Sequence, residues 1–160
     1  YDVMLECEMR EHAKMNAMRL PVTDVWGALA LRDSAVGRLE GIAPSDLAGQ
    51  GIIASRQALA GTLRDWAGDA LDRMDVVATF NLPLNGRYLV RQGMGCMLTY
   101  EGLFDASESS DLRFVPFAPR FEAHQGLVWR SSMPNKQTQA FLDAMERVCA
   151  RHAEDDAGIS

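Results

Sequence analysis

The chain has 160 residues, of which 48% are hydrophobic, enough to bury a real core as one domain or as two small lobes. Its net charge of -6 and pI near 5.0 exclude the basic footprint of a nucleic-acid-binding surface, so any DNA contact is expected elsewhere. No apolar run approaches the roughly 20 residues of a membrane span, and no segment has the basic, apolar, small-residue order of a signal peptide. Cys7, Cys96 and Cys149 are odd in number and widely spaced, which argues against a disulfide framework and for free thiols in the core of a cytoplasmic protein. The chain opens on Tyr1, and YDVMLE reads like the interior of a domain, so a piece of a longer protein is expected.

In chain order, Val3, Met4 and Leu5 are contiguous and apolar, as in a strand covered on both faces, before Glu6-Cys7-Glu8 turns polar. Residues 18–22 and 25–31 read as two strands, with Trp26 as a core aromatic, and 32–44 as a loop. Pro44-Ser45-Asp46-Leu47 has the chemistry of a short helical turn, and Ile52-Ile53-Ala54 that of a strand. Ser55-Arg56-Gln57 follows directly, and Leu59, Leu63 and Trp66 then recur at helical spacing. Residues 69–75 form a polar connection.

Residues 76–100 are the most informative stretch. Val76, Val77, Thr79 and Phe80 read as a buried strand, Asn81 as the N-cap of a helix over 82–92, Gly93 as its stop, and 94–98 as a returning strand. The turn at Asn81 repeats the arrangement at Ser55, with a polar turn at the carboxyl end of a strand, where open α/β sheets bind small ligands. Residues 103–111 form an acidic, Ser-rich loop, 112–117 and 126–129 two more strands, and 135–150 an amphipathic helix with Phe141, Leu142, Met145, Val148 and Cys149 on one face. Residues 151–160, including Glu154-Asp155-Asp156, read as a solvated, disordered tail.

Four segments in order, VWGALALRDS, SDLAGQGIIASRQ, VVATFNLPLNGRYLVRQGMGCML and GLVWRSSMPNKQTQAFLDAME, resemble the effector-binding domain of LysR-type transcriptional regulators. The resemblance spans roughly residues 1–150. It implies a periplasmic-binding-protein-like α/β fold of two lobes, one made of 1–45 with 118–150 and incomplete at its start, the other of 46–117, with crossing segments near 40–50 and 117–124. It also implies a cleft between the lobes that holds a small, often anionic, effector. The residues that map to the cleft are Ser55, Arg56, Gln57 and Asn81, with Glu6 as a weaker candidate. The opening elements of the first lobe and the family's N-terminal winged helix-turn-helix are not found here. Promoter DNA would be reached only through that missing part, by a homo-oligomer, typically a dimer, of the intact protein. The mechanism implied is a population shift between two conformations that bind the effector unequally.

Each of these residues has a plainer reading: Ser55 and Asn81 as caps, Arg56 as a solvated surface charge. Cys7 with His12 lacks a second pair at metal-ligand spacing. Gly93-Met94-Gly95 follows a helix, the wrong order for a dinucleotide fingerprint, so no cofactor is indicated. Ser131, Ser132 and Lys136 lack the spacing of a serine-lysine pair, and His124 has no nucleophile nearby in sequence, so no enzyme is expected. Met15, Met18, Met94, Met97 and Met145 are assigned to core packing rather than to an adaptable surface. The alternative function is a free-standing solute-binding protein of the periplasmic type, which shares the two-lobe plan.

Overall fold

The structure, a computed structural model, describes residues 2–9, 13–132 and 134–157. The chain divides into two compact units, Tyr1–Asp24 with Ala123–Ser160 and Val25–Glu122. In the first, β1 (Val3–Glu6) pairs antiparallel with β7 (Glu122–Arg130), and β7 also neighbours the opening of β2 (Met15–Leu31). Helix α4 (Lys136–Ala157) also belongs to this unit. Asn135 starts it, its side-chain oxygen accepting from the Thr138 amide at 2.8 Å.

The second unit is built on β3 (Gly51–Ser55), which pairs parallel with both β4 (Asp75–Phe80) and β5 (Cys96–Tyr100). The second half of β2 runs antiparallel between β5 and β6 (Leu112–Pro116). Ile52, Ile53 and Ala54 are wholly buried because helices cover both faces of a parallel sheet. On one face, Leu29, Ile53, Phe80, Val90, Met97 and Leu112 form a continuous core with α3 (Pro83–Arg91). Elsewhere in the unit, Trp66 from α2 (Thr62–Ala67) stacks on Phe117 with ring centroids 3.6 Å apart, and Trp26 stacks on Phe117 at 6.2 Å. Two connecting segments run side by side here: the Ile42 amide donates to the Pro116 carbonyl, and the Ala118 amide to the Ile42 carbonyl.

Several expected elements form differently. The two strands expected at 18–22 and 25–31 are one, β2, because its backbone stays extended through Pro21. The helix expected from Leu59 to Trp66 is broken at Gly61 (φ -141, ψ -98) into α1 (Arg56–Ala60) and α2. The connection at 69–75 opens with a 3-10 turn, Gly68–Arg73. Val76 and Val77 lie about two-fifths exposed, since β4 pairs only with β3 and forms the edge of this sheet. Met97 is the methionine of that group that is fully buried, whereas Met94 is 44% exposed. Cys96 is buried, Cys149 half-buried and Cys7 exposed, so only one of the three free thiols belongs to the core. Burial pushes the Cys96 thiol up to about 12. Residues 151–157, expected as a tail, continue α4.

Compactness divides the chain at 24/25 and 122/123, whereas the sequence reading draws lobes at 45/46 and 117/118. The difference arises at β2, whose residues from Trp26 onward pair with β5 and β6. Packing and motion are separate criteria for a boundary.

Candidate functional site

The parallel ladder of the second unit brings its polar turns together. Ser55, the last residue of β3, is in register with Phe80, the last of β4, so Asn81 leaves the sheet beside Ser55. Ile53 is in register with Met97, and continuing that ladder by two residues sets Thr99 of β5 beside Ser55. Neighbouring strands lie about 4.8 Å apart, so these strand ends form one short edge. Ser55, Arg56, Gln57 and Asn81 therefore share it. Glu6 lies in the first unit, at the end of β1 opposite Gly126.

Ser55 is the N-cap of α1, its hydroxyl oxygen accepting from the Ala58 amide at 3.0 Å. The hydroxyl hydrogen is left over for another acceptor. Arg56 and Gln57 are exposed, and among the described residues the Arg56 guanidinium makes no hydrogen bond or ion pair. Asn81 departs from expectation. Helix α3 begins at Pro83 with Leu82 as N-cap and no side-chain cap, because proline pre-sets the first helical turn and holds Leu82 extended (φ -113, ψ 120). The Asn81 side chain is thereby exposed and released from capping. Helix α1 has five residues, so its dipole adds little and recognition rests on the side chains.

Sequence reasoning missed the third strand end. Tyr100 closes β5 and Glu101 follows it, the exposed Glu101 carboxylate having no hydrogen bond or ion pair among the described residues. A cavity of about 290 Å³ opens there, lined by Leu29, Tyr100, Glu101, Phe104, Ala106 and Phe114 together with Gly102. Gly27 lets the Phe114 ring of the cavity wall pack against β2, since a Cβ at that position would fall 2.5 Å from the ring. Arg32 pins the covering loop, donating to the Ser107, Ser110 and Leu112 carbonyls at 2.7, 3.1 and 3.2 Å. Asp105 accepts from the Ser107 amide at 3.1 Å, and the Ser107 hydrogen bonds hold its carboxyl below the usual range. Arg91 donates to Asp111 at 2.9 Å. The signal in sequence was the polar step after the apolar run of β5, the same pattern as at Ser55.

Other candidates separate. Cys7 is exposed, its thiol raised first by partial burial and then by Asp24 and Glu8, and His12 lies outside the described residues. No group of three or more His, Cys, Asp or Glu among the described residues could hold a metal. His124 lies on β7 and its Nδ1 accepts from Arg19 at 2.7 Å. Among the described residues no helix is long and apolar enough to cross a membrane.

Polar turns at the adjoining ends of parallel strands, beside a pinned cavity, are the arrangement at which α/β sheets bind small molecules. The family comparison is more specific: residues 2–150 match the LysR substrate binding domain, and the chain belongs to that family of effector-binding domains of LysR-type transcriptional regulators. This is a family of regulators, not of enzymes. The fold is similar to the CcmR regulatory domain of Synechocystis PCC6803, solved in complex with 2-PG, with TM-score 0.72 and 16% identity over 92% of this chain and 73% of that one. It is also similar to HinK, a LysR family transcriptional regulator from Pseudomonas aeruginosa, with TM-score 0.70 and 14% identity over 92% of this chain and 53% of that one. Full-length CbnR, solved with its target DNA, matches with TM-score 0.71 and 11% identity over 91% of this chain and 52% of that one. The chain thus spans about half the length of these two regulators. No curated protein matches it in sequence.

Proposed function

We propose that this ligand-sensing domain holds a small anionic metabolite at Ser55, Arg56, Gln57 and Asn81 and so controls transcription by the intact regulator. The observation that carries the reading is Arg56, a guanidinium unpaired among the described residues, at a strand end whose neighbour carries an Asn81 that caps no helix. A guanidinium binds a carboxylate or phosphate through two parallel hydrogen bonds, and Asn81 and the Ser55 hydroxyl add donors. The CcmR domain bound to 2-PG supports a small ligand in this fold.

The switch is a population shift between lobes 1–45 with 118–150 and 46–117. An effector moves that equilibrium only by its difference in affinity for the two conformations. The intact protein is a cytoplasmic homo-oligomer that reaches promoter DNA through a winged helix-turn-helix outside residues 1–160. CbnR with its target DNA supports this division of labour.

Calorimetry against a panel of small carboxylates and phosphates tests the site. Arg56→Ala is expected to weaken the effector by about 1.5 to 3 kcal/mol with the fold intact, the worth of a charged hydrogen bond. An unchanged dissociation constant would return Arg56 to the solvated surface. Sequence-specific retardation of promoter DNA by this chain alone would overturn the assignment of DNA binding to another segment.

A further inference from the structure

The strand-end edge carries two charges of opposite sign. Arg56 follows β3 and Glu101 follows β5, the adjacent parallel strand, and among the described residues neither makes an ion pair. Neighbouring acids are engaged, Asp105 with Ser107 and Asp111 with Arg91, and Arg87 is packed over the Tyr88 and Phe104 rings. Beside Glu101 is the cavity of about 290 Å³, its apolar wall formed by Leu29, Phe104, Ala106 and Phe114. That volume is at the small end for ligand sites and suits one compact apolar group. The Arg32 clamp on the loop carbonyls gives the cavity fixed walls, which lowers the ordering cost of binding.

A simple anion would be drawn to Arg56 and repelled by Glu101. Resting on the proposed strand-end anion site, we infer that the effector is a zwitterion of the α-amino-acid type with a compact apolar side chain. Its carboxylate meets Arg56, its ammonium meets Glu101, and its side chain enters the cavity. Each charge of the ligand then neutralises a charge that the protein leaves unpaired, and Glu101 turns from a repulsive group into the one that selects against plain acids.

The test is calorimetry on this domain with phenylalanine, hydrocinnamate and phenethylamine, which share the benzyl group and differ only in charge. Phenylalanine is expected to bind at least about tenfold more tightly than either of the others, the worth of one added charged hydrogen bond. Glu101→Gln should bring phenylalanine to the level of hydrocinnamate and leave hydrocinnamate no weaker, while Arg56→Ala should weaken both acids. Hydrocinnamate binding as tightly as phenylalanine, with Glu101→Gln silent and Arg56→Ala still damaging, would overturn the zwitterion and leave the anion site standing. Binding of both acids that ignores Arg56→Ala would remove the anion site as well. Failure of all three probes to bind would overturn the inferred ligand class.

Discussion

The two units use their apolar residues differently. In the unit Val25–Glu122, Ile52, Ile53, Met97 and Leu98 are buried within a sheet whose strands are mostly parallel. In the other, Met4 and Leu5 on β1 are 41% and 54% exposed, and Phe141 and Val148 on α4 are nearly half exposed. Both β1 and β3 read in sequence as contiguous apolar strands, yet only β3 is covered on both faces. A contiguous apolar run therefore records that a strand is meant to be buried, and not that this stretch of chain supplies the cover.

The contrast is broken most directly by truncation. Ile53→Ala should cost about 2 to 5 kcal/mol in chemical denaturation, because it empties a filled position in the core, while Leu5→Ala should cost under about 1 kcal/mol. Equal losses would show β1 to be as well packed as β3. Arg32→Ala should cost about 1 to 3 kcal/mol by leaving loop carbonyls without their charged donor, and hydrogen exchange should quicken across 101–111 without change at Val3–Glu6. Ser55→Ala should cost about 1 kcal/mol, the worth of an N-cap, sharpening the difference between a Ser55 that caps and an Asn81 that does not. Asn81→Ala should leave stability unchanged within about 0.5 kcal/mol.

The smallest effect concerns pH. The Ser107 hydrogen bonds depress Asp105 in the folded chain, so their stabilisation is present above the unfolded carboxyl range. It is lost as pH falls through the folded value. Acidification should loosen the loop around Ser107 first, as a chemical-shift change of its amide. An Asp105→Asn variant in which the same change persists would assign it to another group.

Much of the strand-end edge proposed as the site was legible before the fold was known. Ser55, Arg56 and Gln57 were readable because a polar triplet ended an apolar strand and opened a helical pattern, and Ser55 caps as its chemistry predicts. Asn81 was placed at the right strand end for the wrong local reason. The N-cap preference of asparagine was visible, but the restriction that Pro83 places on Leu82 moved the helix start one residue on. Tyr100 and Glu101 were passed over because the polar step after β5 opens a loop and not a helical pattern as at Ser55; the register of β5 beside β3 gives them their place.

The sequence by itself determined most of the elements and their order, because period-two and period-3.6 patterns, caps and glycine stops act over a few residues. It determined the family for the same reason, since an ordered set of such elements is enough to match. Tertiary structure alone decided which strand is an edge, which charges at the strand ends stay unpaired among the described residues, and where Phe104 and Phe114 leave a cavity. Those outcomes depend on pairings between residues dozens of positions apart. Pairing sets exposure and the pattern along a single strand does not, which is why Val76 and Ile52 look alike in sequence and differ in the fold.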